Sequence, residues 1–282
     1  MNKRYVFLAA GLALLIIILL ASAISSVAPT KGNGVAIIPV TGIITTESVS
    51  GFLSTQSASS TQITRWLEDA NEDRNIHAIL LEINSPGGSA VASDEIVQAL
   101  KHVDKPVVAW IRESGASGAY WIASEADHVI ANRMSITGSV GVIASYLNFA
   151  DFITDYNITY QRLVSGEDKD LASPVKHLSE RQEELLQAKL DTIHEFFVSD
   201  VQANRNLTDE QASQISSGIF YLGSEAYELG LVDELGTRYE VQNYLEELLG
   251  AEPRYTRYQQ RRGALAEIFS VTIPTSGWRI QT

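Results

Sequence analysis

The sequence predicts an α/β domain on a largely parallel sheet, preceded by an N-terminal apolar anchor. Three observations carry that prediction. Short β-branched runs alternate with amphipathic stretches of helical period along most of the chain, the pattern of strand–helix crossovers. Two of the runs end in small-residue turns that lead into a helical pattern, at Asn84-Ser85-Pro86-Gly87-Gly88 and at Gly115-Ala116-Ser117-Gly118-Ala119. Residues Tyr5 to Val27 carry no charge.

A helix over that uncharged run reaches about 35 Å, enough for a hydrocarbon core of about 30 Å. Lys3 and Arg4 precede it, which favours a cytoplasmic N-terminus and an extracytoplasmic remainder. Ala21-Ser22-Ala23 offers the competing reading of a cleaved signal peptide, whereas Leu12 to Leu20, all Leu and Ile apart from Ala13, favours a retained anchor. The expected organisation is an anchor over 1–28, a linker over 29–34, one domain over 35–250 and a tail over 251–282.

Val35 to Ile44 reads as a strand, with Pro39 and Gly42 suggesting an edge position or a bulge. Ser48 to Ser60 reads as a loop. A helix is expected over Thr61–Arg74, a strand over His77–Ile83, a helix over Ala90–Val103, a strand over Pro106–Ile111 and a helix over Tyr120–Ala126. Further short strands are expected at His128–Ala131, Val140–Ser145 and Ile158–Val164. Ser179 with Gln182 forms a capping box for a long helix to Asn204, whose Leu186, Leu190, Ile193, Phe197 and Val201 share one face. Thr208 with Gln211 repeats the signal for a short helix. The tail changes character, with Arg254, Arg257, Arg261 and Arg262 among tyrosines and glutamines.

Composition excludes several functions. The chain has no cysteine, so thiol and disulfide chemistry are absent. A net charge of −13 disfavours nucleic acid as a partner. The five histidines, at 77, 102, 128, 177 and 194, show no H-E-x-x-H spacing, and no Walker-type phosphate loop is present.

What the chain does offer is a serine on a Gly-flanked turn. Such a hydroxyl attacks a carbonyl once a base removes its proton. Ser117 sits at a strand-to-helix transition, where the amide of Gly118 joins the unpaired N–H groups of a helix start. Small residues there also permit close helix–sheet packing, but packing needs no hydroxyl. Gly87 and Gly88 let backbone N–H groups face a cleft; such donors, aimed at a developing alkoxide, contribute about 3–4 kcal/mol each in acyl transfer. A plain tight turn is the alternative reading.

The base is the harder part. Downstream of residue 30 the only lysines are Lys31, Lys101, Lys105, Lys169, Lys176 and Lys189. Lys169, in Ser165-Gly166-Glu167-Asp168-Lys169-Asp170, is the candidate. A free lysine titrates near 10.4, so a base at neutral pH must be desolvated, at about 1.4 kcal/mol per unit. Glu167, Asp168 and Asp170 oppose that shift unless they point away. Ser139, in Thr137-Gly138-Ser139-Val140-Gly141-Val142, carries a hydroxyl able to orient the amine, or simply turn chemistry. A Ser-His-Asp triad stays open at this level, with His128 more naturally structural.

Together these motifs, with Gly230-Leu231-Val232-Asp233-Glu234-Leu235-Gly236, resemble the signal peptide peptidase A family of membrane-anchored Ser/Lys proteases, in its short single-domain form, from Val35 to about Leu248. The resemblance implies Ser117 as nucleophile, Lys169 as general base, Ser139 as the hydroxyl positioning that lysine, and Gly87 and Gly88 on the turn contributing to the oxyanion hole, for which the helix-start amide of Gly118 is the second donor expected from the residues themselves. It implies a Clp protease/crotonase-like spiral of ββα units, no metal or nucleotide cofactor, and a homo-oligomeric ring on the cytoplasmic membrane. It further implies hydrophobic remnant signal peptides as substrates. The rivals are a related Ser/Lys protease devoted to a stomatin-type membrane partner, a catalytically silent peptide-binding scaffold, and a crotonase-like acyl-CoA enzyme, which the extracytoplasmic location disfavours. The Arg-rich tail matches no motif of the family.

Overall fold

The structure is a computed structural model that describes residues 32–48 and 57–259. The expected anchor over 1–28 and the tail beyond 259 lie outside the described residues. Among the described residues, no helix is long and apolar enough to cross a membrane.

The chain forms a mixed α/β fold on a mostly parallel sheet of eight strands. The described residues hold ten strands: β1 (Gly34–Thr41), β2 (Ile43–Thr45), β3 (Ser57–Ser59), β4 (Ile76–Ser85), β5 (Val107–Ala116), β6 (His128–Ala131), β7 (Ile136–Gly138), β8 (Phe220–Leu222), β9 (Glu234–Leu235) and β10 (Arg254–Arg257). The helices are α1 (Ser60–Glu72), α2 (Ala90–Leu100), α3 (Gly118–Ser124), α4 (Ala150–Asp155), α5 (Glu180–Asn204), α6 (Asp209–Ile215), α7 (Gly223–Glu228) and α8 (Arg238–Leu249). The main sheet runs β10-β1-β4-β5-β6-β9, and β7 joins it beside β5 and pairs antiparallel with β8. β2 and β3 form a separate parallel pair.

The central strands are apolar because both faces are covered. One face of the sheet packs against α1, α2, α3 and α5 through Ile38, Leu81, Ile83, Ile63, Leu67, Ile96 and Phe197. The other carries Val35, Leu80, Val108 and Ile130 against Val241, Leu245 and Leu249 of α8. Each fully buried side chain of this size contributes about 1.5–3 kcal/mol. Helix starts follow the side-chain chemistry: Ser59 and Ser89 cap α1 and α2, and the Ser179/Gln182 and Thr208/Gln211 boxes open α5 and α6.

Four expectations change. The first strand is not at an edge: Gly34 to Ile37 pair with β4 on one side and β10 on the other, and Pro39 falls beyond the last β10 pairing, where a missing N–H costs no ladder bond. Residues expected as strands at Val140–Ser145 and Ile158–Val164 are irregular, and Ile143 and Leu163 are 89% and 98% exposed. Only the C-terminal half of α5 packs fully, through Phe197 and Val201; Leu186, Leu190 and Ile193 stay half-buried. Arg254–Arg257, which carried no strand signal in the sequence, form β10 and complete the sheet. Arg257 and Arg112 both pair with the buried Glu82, the latter at 2.8 Å, tying β10 to β4 and β5.

Candidate active site

β5 runs to Ala116 and α3 starts at Gly118, leaving Ser117 alone at the junction with φ 54° and ψ −130°. A positive φ in a residue with a Cβ is costly and is kept where surrounding structure enforces it. Here the Ser117 N–H donates to the Gly138 carbonyl at 2.8 Å, and its own carbonyl accepts from Tyr120 and Trp121 of α3 at 2.8 and 3.0 Å. The hydroxyl makes no capping bond and the residue is half-buried.

The Pro86-Gly87-Gly88 turn is pressed against this junction. Gly87 has φ 98°, and a Cβ there would stand 2.9 Å from the Ser117 Cβ and the Gly118 nitrogen, so only glycine lets the two segments approach this closely. The turn is held by β2: Ile44 N–H donates to the Gly87 carbonyl at 3.0 Å, and Ser89 N–H to the Ile44 carbonyl at 2.9 Å. In such a parallel bridge the N–H of Gly88 itself faces away from β2.

The glycine amides are not equivalent. The Gly87 N–H donates to the buried Ser85 hydroxyl at 3.1 Å and is spent. Among the described residues, the N–H groups of Gly88 and Gly118 have no acceptor. The two residues are close: the Gly88 nitrogen lies 3.7 Å from where a Gly118 Cβ would stand. Two free amides beside a half-buried hydroxyl can stabilise an oxyanion.

Ser139 also takes a positive φ, 52°. Its N–H donates to the Ile219 carbonyl at 3.0 Å and its hydroxyl to the Gly218 carbonyl at 3.1 Å. The hydroxyl proton is therefore occupied and its lone pairs are left to accept.

Lys169 stands apart. It is exposed in an irregular turn, with its backbone N–H on Gly166, and among the described residues no hydrogen bond or ion pair joins its amine to Ser117, to Ser139 or to any other group. The acidic neighbours, however, are all engaged elsewhere. Asp170 binds Arg162 and Lys176, each at 2.8 Å, Asp168 binds Arg181 at 2.6 Å, and Glu167 lies 3.5 Å from Arg181. Hydrogen bonds from Arg162 and then Lys176 hold the Asp170 carboxyl well below the ordinary range, and those from Arg181 and Gln182 lower Asp168.

No histidine takes the base position. His128 stacks on Tyr244 at 3.9 Å and lies beside Glu234, His177 pairs with Asp151 at 2.9 Å, and none of the five is hydrogen-bonded to Ser117. Sequence reasoning missed the roles of Ser85, which occupies one amide, and of the Gly138 and Gly218 carbonyls. Ser85 was visible as a hydroxyl two residues before a glycine; nothing in sequence marks the carbonyls, which act through distant pairings.

The family model described as Peptidase family S49 matches residues 99–252. Protease 4 of Haemophilus influenzae is 32% identical over 242 residues, covering 85% of this chain and 37% of that protein. An Enterococcus faecium protein provisionally named signal peptide peptidase SppA is 32% identical over 200 residues, covering 70% and 58%. The chain thus spans less than two thirds of the length of these relatives. Among solved structures, a lysine-to-alanine mutant of the 1510-N membrane-bound stomatin-specific protease, in complex with a substrate peptide, superposes with a TM-score of 0.54 at 15% identity, covering 86% of this chain and 99% of that one.

Proposed function

Because the chain belongs to peptidase family S49, we propose that it is a membrane-anchored serine endopeptidase in which Ser117 attacks and Lys169 is the base. The observation that carries this reading is the left-handed Ser117 between two unengaged amides, those of Gly88 and Gly118. A peptide laid along residues 141–147, whose N–H groups have no backbone partner among the described residues, would present its scissile carbonyl there. Neutral Lys169 takes the Ser117 proton and an acyl-enzyme forms. The same lysine returns the proton to the leaving amine, then activates water. The Ser139 oxygen accepts from the amine and orients it. Gly87 serves close approach, and the oxyanion falls to Gly88 and Gly118.

A solvated lysine is a poor base, and in one chain Lys169 is solvated. In the stretch that precedes it, Ile143, Leu147, Phe152, Ile158 and Leu163 are all more than half exposed, and Leu186 and Leu190 of α5 are only half-buried. Exposed apolar side chains in this number suit a contact with another protein surface. A second copy of the chain in a homo-oligomeric ring would cover them and dry the lysine. The proposed setting is the outer face of the cytoplasmic membrane, held by the apolar run 5–27, with hydrophobic remnant signal peptides as substrates.

The exposure of Lys169 also favours a second reading, a peptide-binding scaffold without turnover. Cleavage of a fluorogenic apolar peptide by the full chain separates the two. The proteolytic reading expects turnover in wild type and loss in a folded Lys169→Ala variant. Peptide binding without turnover, in a chain confirmed as assembled, supports the scaffold.

A further inference from the structure

A second concave site lies between α2, α3 and α5. It is a cavity of about 420 Å³ lined by Val91, Asp94, Trp121, Ile193, Phe196 and Asp200 among others. That is the size of a pocket for a few side chains. Its floor is apolar, and Val91 and Phe196 are each 62% exposed at its mouth. Its rim is acidic. Asp200 is answered by Lys101 at 3.1 Å and by the Trp121 indole N–H at 3.0 Å. Asp94 accepts only from Gln98, at 3.1 Å, and faces no cation among the described residues. The cavity therefore fits a ligand that is apolar in the middle and positively charged at one end.

The chain carries such a segment. Arg261-Arg262 is followed by Leu265, Ile268 and Phe269, spaced four, three and one apart. Apolar residues at those intervals are the anchors of groove-binding peptides. The described chain also ends in the right place. β10 runs parallel to β1, so it heads toward the end of the sheet at which α2 begins. At Tyr258 it crosses onto the helical face, where the ring meets Trp66 of α1 edge-on at 6.3 Å. α1 packs against α2, which lines the cavity, so the distance to cover is one to two interhelical spacings, about 10–20 Å. The six residues from Gln259 to Leu265 reach about 20 Å when extended.

We propose that the cavity between α2, α3 and α5 is a docking site for residues 261–269 of the same chain, with Arg261 and Arg262 toward Asp94 and the apolar side chains over Val91, Trp121 and Phe196. This contact is independent of whether the chain hydrolyses peptides. It also accounts for the basic segment in an otherwise acidic protein.

The absence of cysteine makes the test clean, since any introduced pair is the only pair in the molecule. The full chain bearing Val91→Cys with Leu265→Cys is oxidised mildly, and the intramolecular disulfide is followed by gel mobility and mass spectrometry. Val91 is largely exposed, so the substitution leaves the core intact. Docking predicts that this pair closes about tenfold faster than Val91→Cys with Gln281→Cys, because a docked segment has a higher local concentration than a merely tethered one. Adding Arg261→Glu and Arg262→Glu should slow closure about fivefold by reversing the charge match. Equal rates for the two pairs, or no intramolecular bond, overturn the proposal. A disulfide-linked dimer overturns it in favour of a second copy's tail, and a rate indifferent to the arginine changes overturns the choice of occupant.

Discussion

The two halves of the candidate site are built in opposite ways. Ser117 is fixed from every side: by the Gly138 carbonyl, by the first turn of α3, and by a glycine turn that β2 clamps in place. Its surroundings are core, with Ala119, Tyr120 and Ile122 fully buried. Lys169 belongs to a stretch in which Ile143, Leu147 and Leu163 are each at least 74% exposed and order comes from surface ion pairs. One half is packed within a single chain, and the other lies on its surface. On the proposed mechanism, the difference teaches that the nucleophile and oxyanion donors would be products of folding and the base a product of assembly.

That contrast can be broken or sharpened by graded changes. The largest effect belongs to Ser117→Ala, expected to lower kcat by about 10⁴-fold or more while leaving the melting temperature unchanged, as checked by peptide turnover and calorimetry. Next is Gly88→Ala. A Cβ there would overlap the Ile44 carbonyl and lie 2.6 Å from the Ile44 nitrogen, both backbone atoms that cannot rotate away. It should cost about 1–3 kcal/mol in denaturant unfolding and reduce turnover about 100-fold by displacing an oxyanion donor.

On the other half, Phe152→Glu with Leu163→Glu should leave the fold intact, since both side chains are exposed, yet lower turnover about tenfold together with particle mass in light scattering. Turnover that survives dissociation would break the contrast.

The smallest effect is expected from Asp170→Asn, read as faster hydrogen exchange over residues 165–173 at neutral pH. The Asp170 carboxyl titrates lower in the folded state than its unfolded value of about 3.9. Its contribution is therefore complete above that value and is lost only as pH falls through the lower folded one. In wild type, protection of this loop should hold from pH 7 down to about 5.

How much of this was legible follows the same division. The α5 helix was readable from its capping box and period, and the Ser117 turn from a run of residues too small for anything but close approach. The apolar runs at 140–145 and 158–164 misled because composition records burial without naming the partner; on a single chain they have no sheet to join. β10 was illegible for the converse reason. Arg254-Tyr255-Thr256-Arg257 is polar in sequence, and it becomes a strand through pairing with β1 some 220 residues away and through the Glu82 ion pairs. The use of the Gly87 amide by Ser85 depends on turn geometry, which a glycine-rich motif does not specify.

The most direct measurement is covalent labelling of the full assembled chain with a fluorophosphonate, with the adduct mapped by mass spectrometry in wild type and in Lys169→Ala. A single adduct on Ser117 is expected, formed about 10²–10⁴-fold more slowly without the lysine, the range of general-base catalysis. An adduct on another residue, or undiminished labelling of Ser117 in the variant, would contradict it.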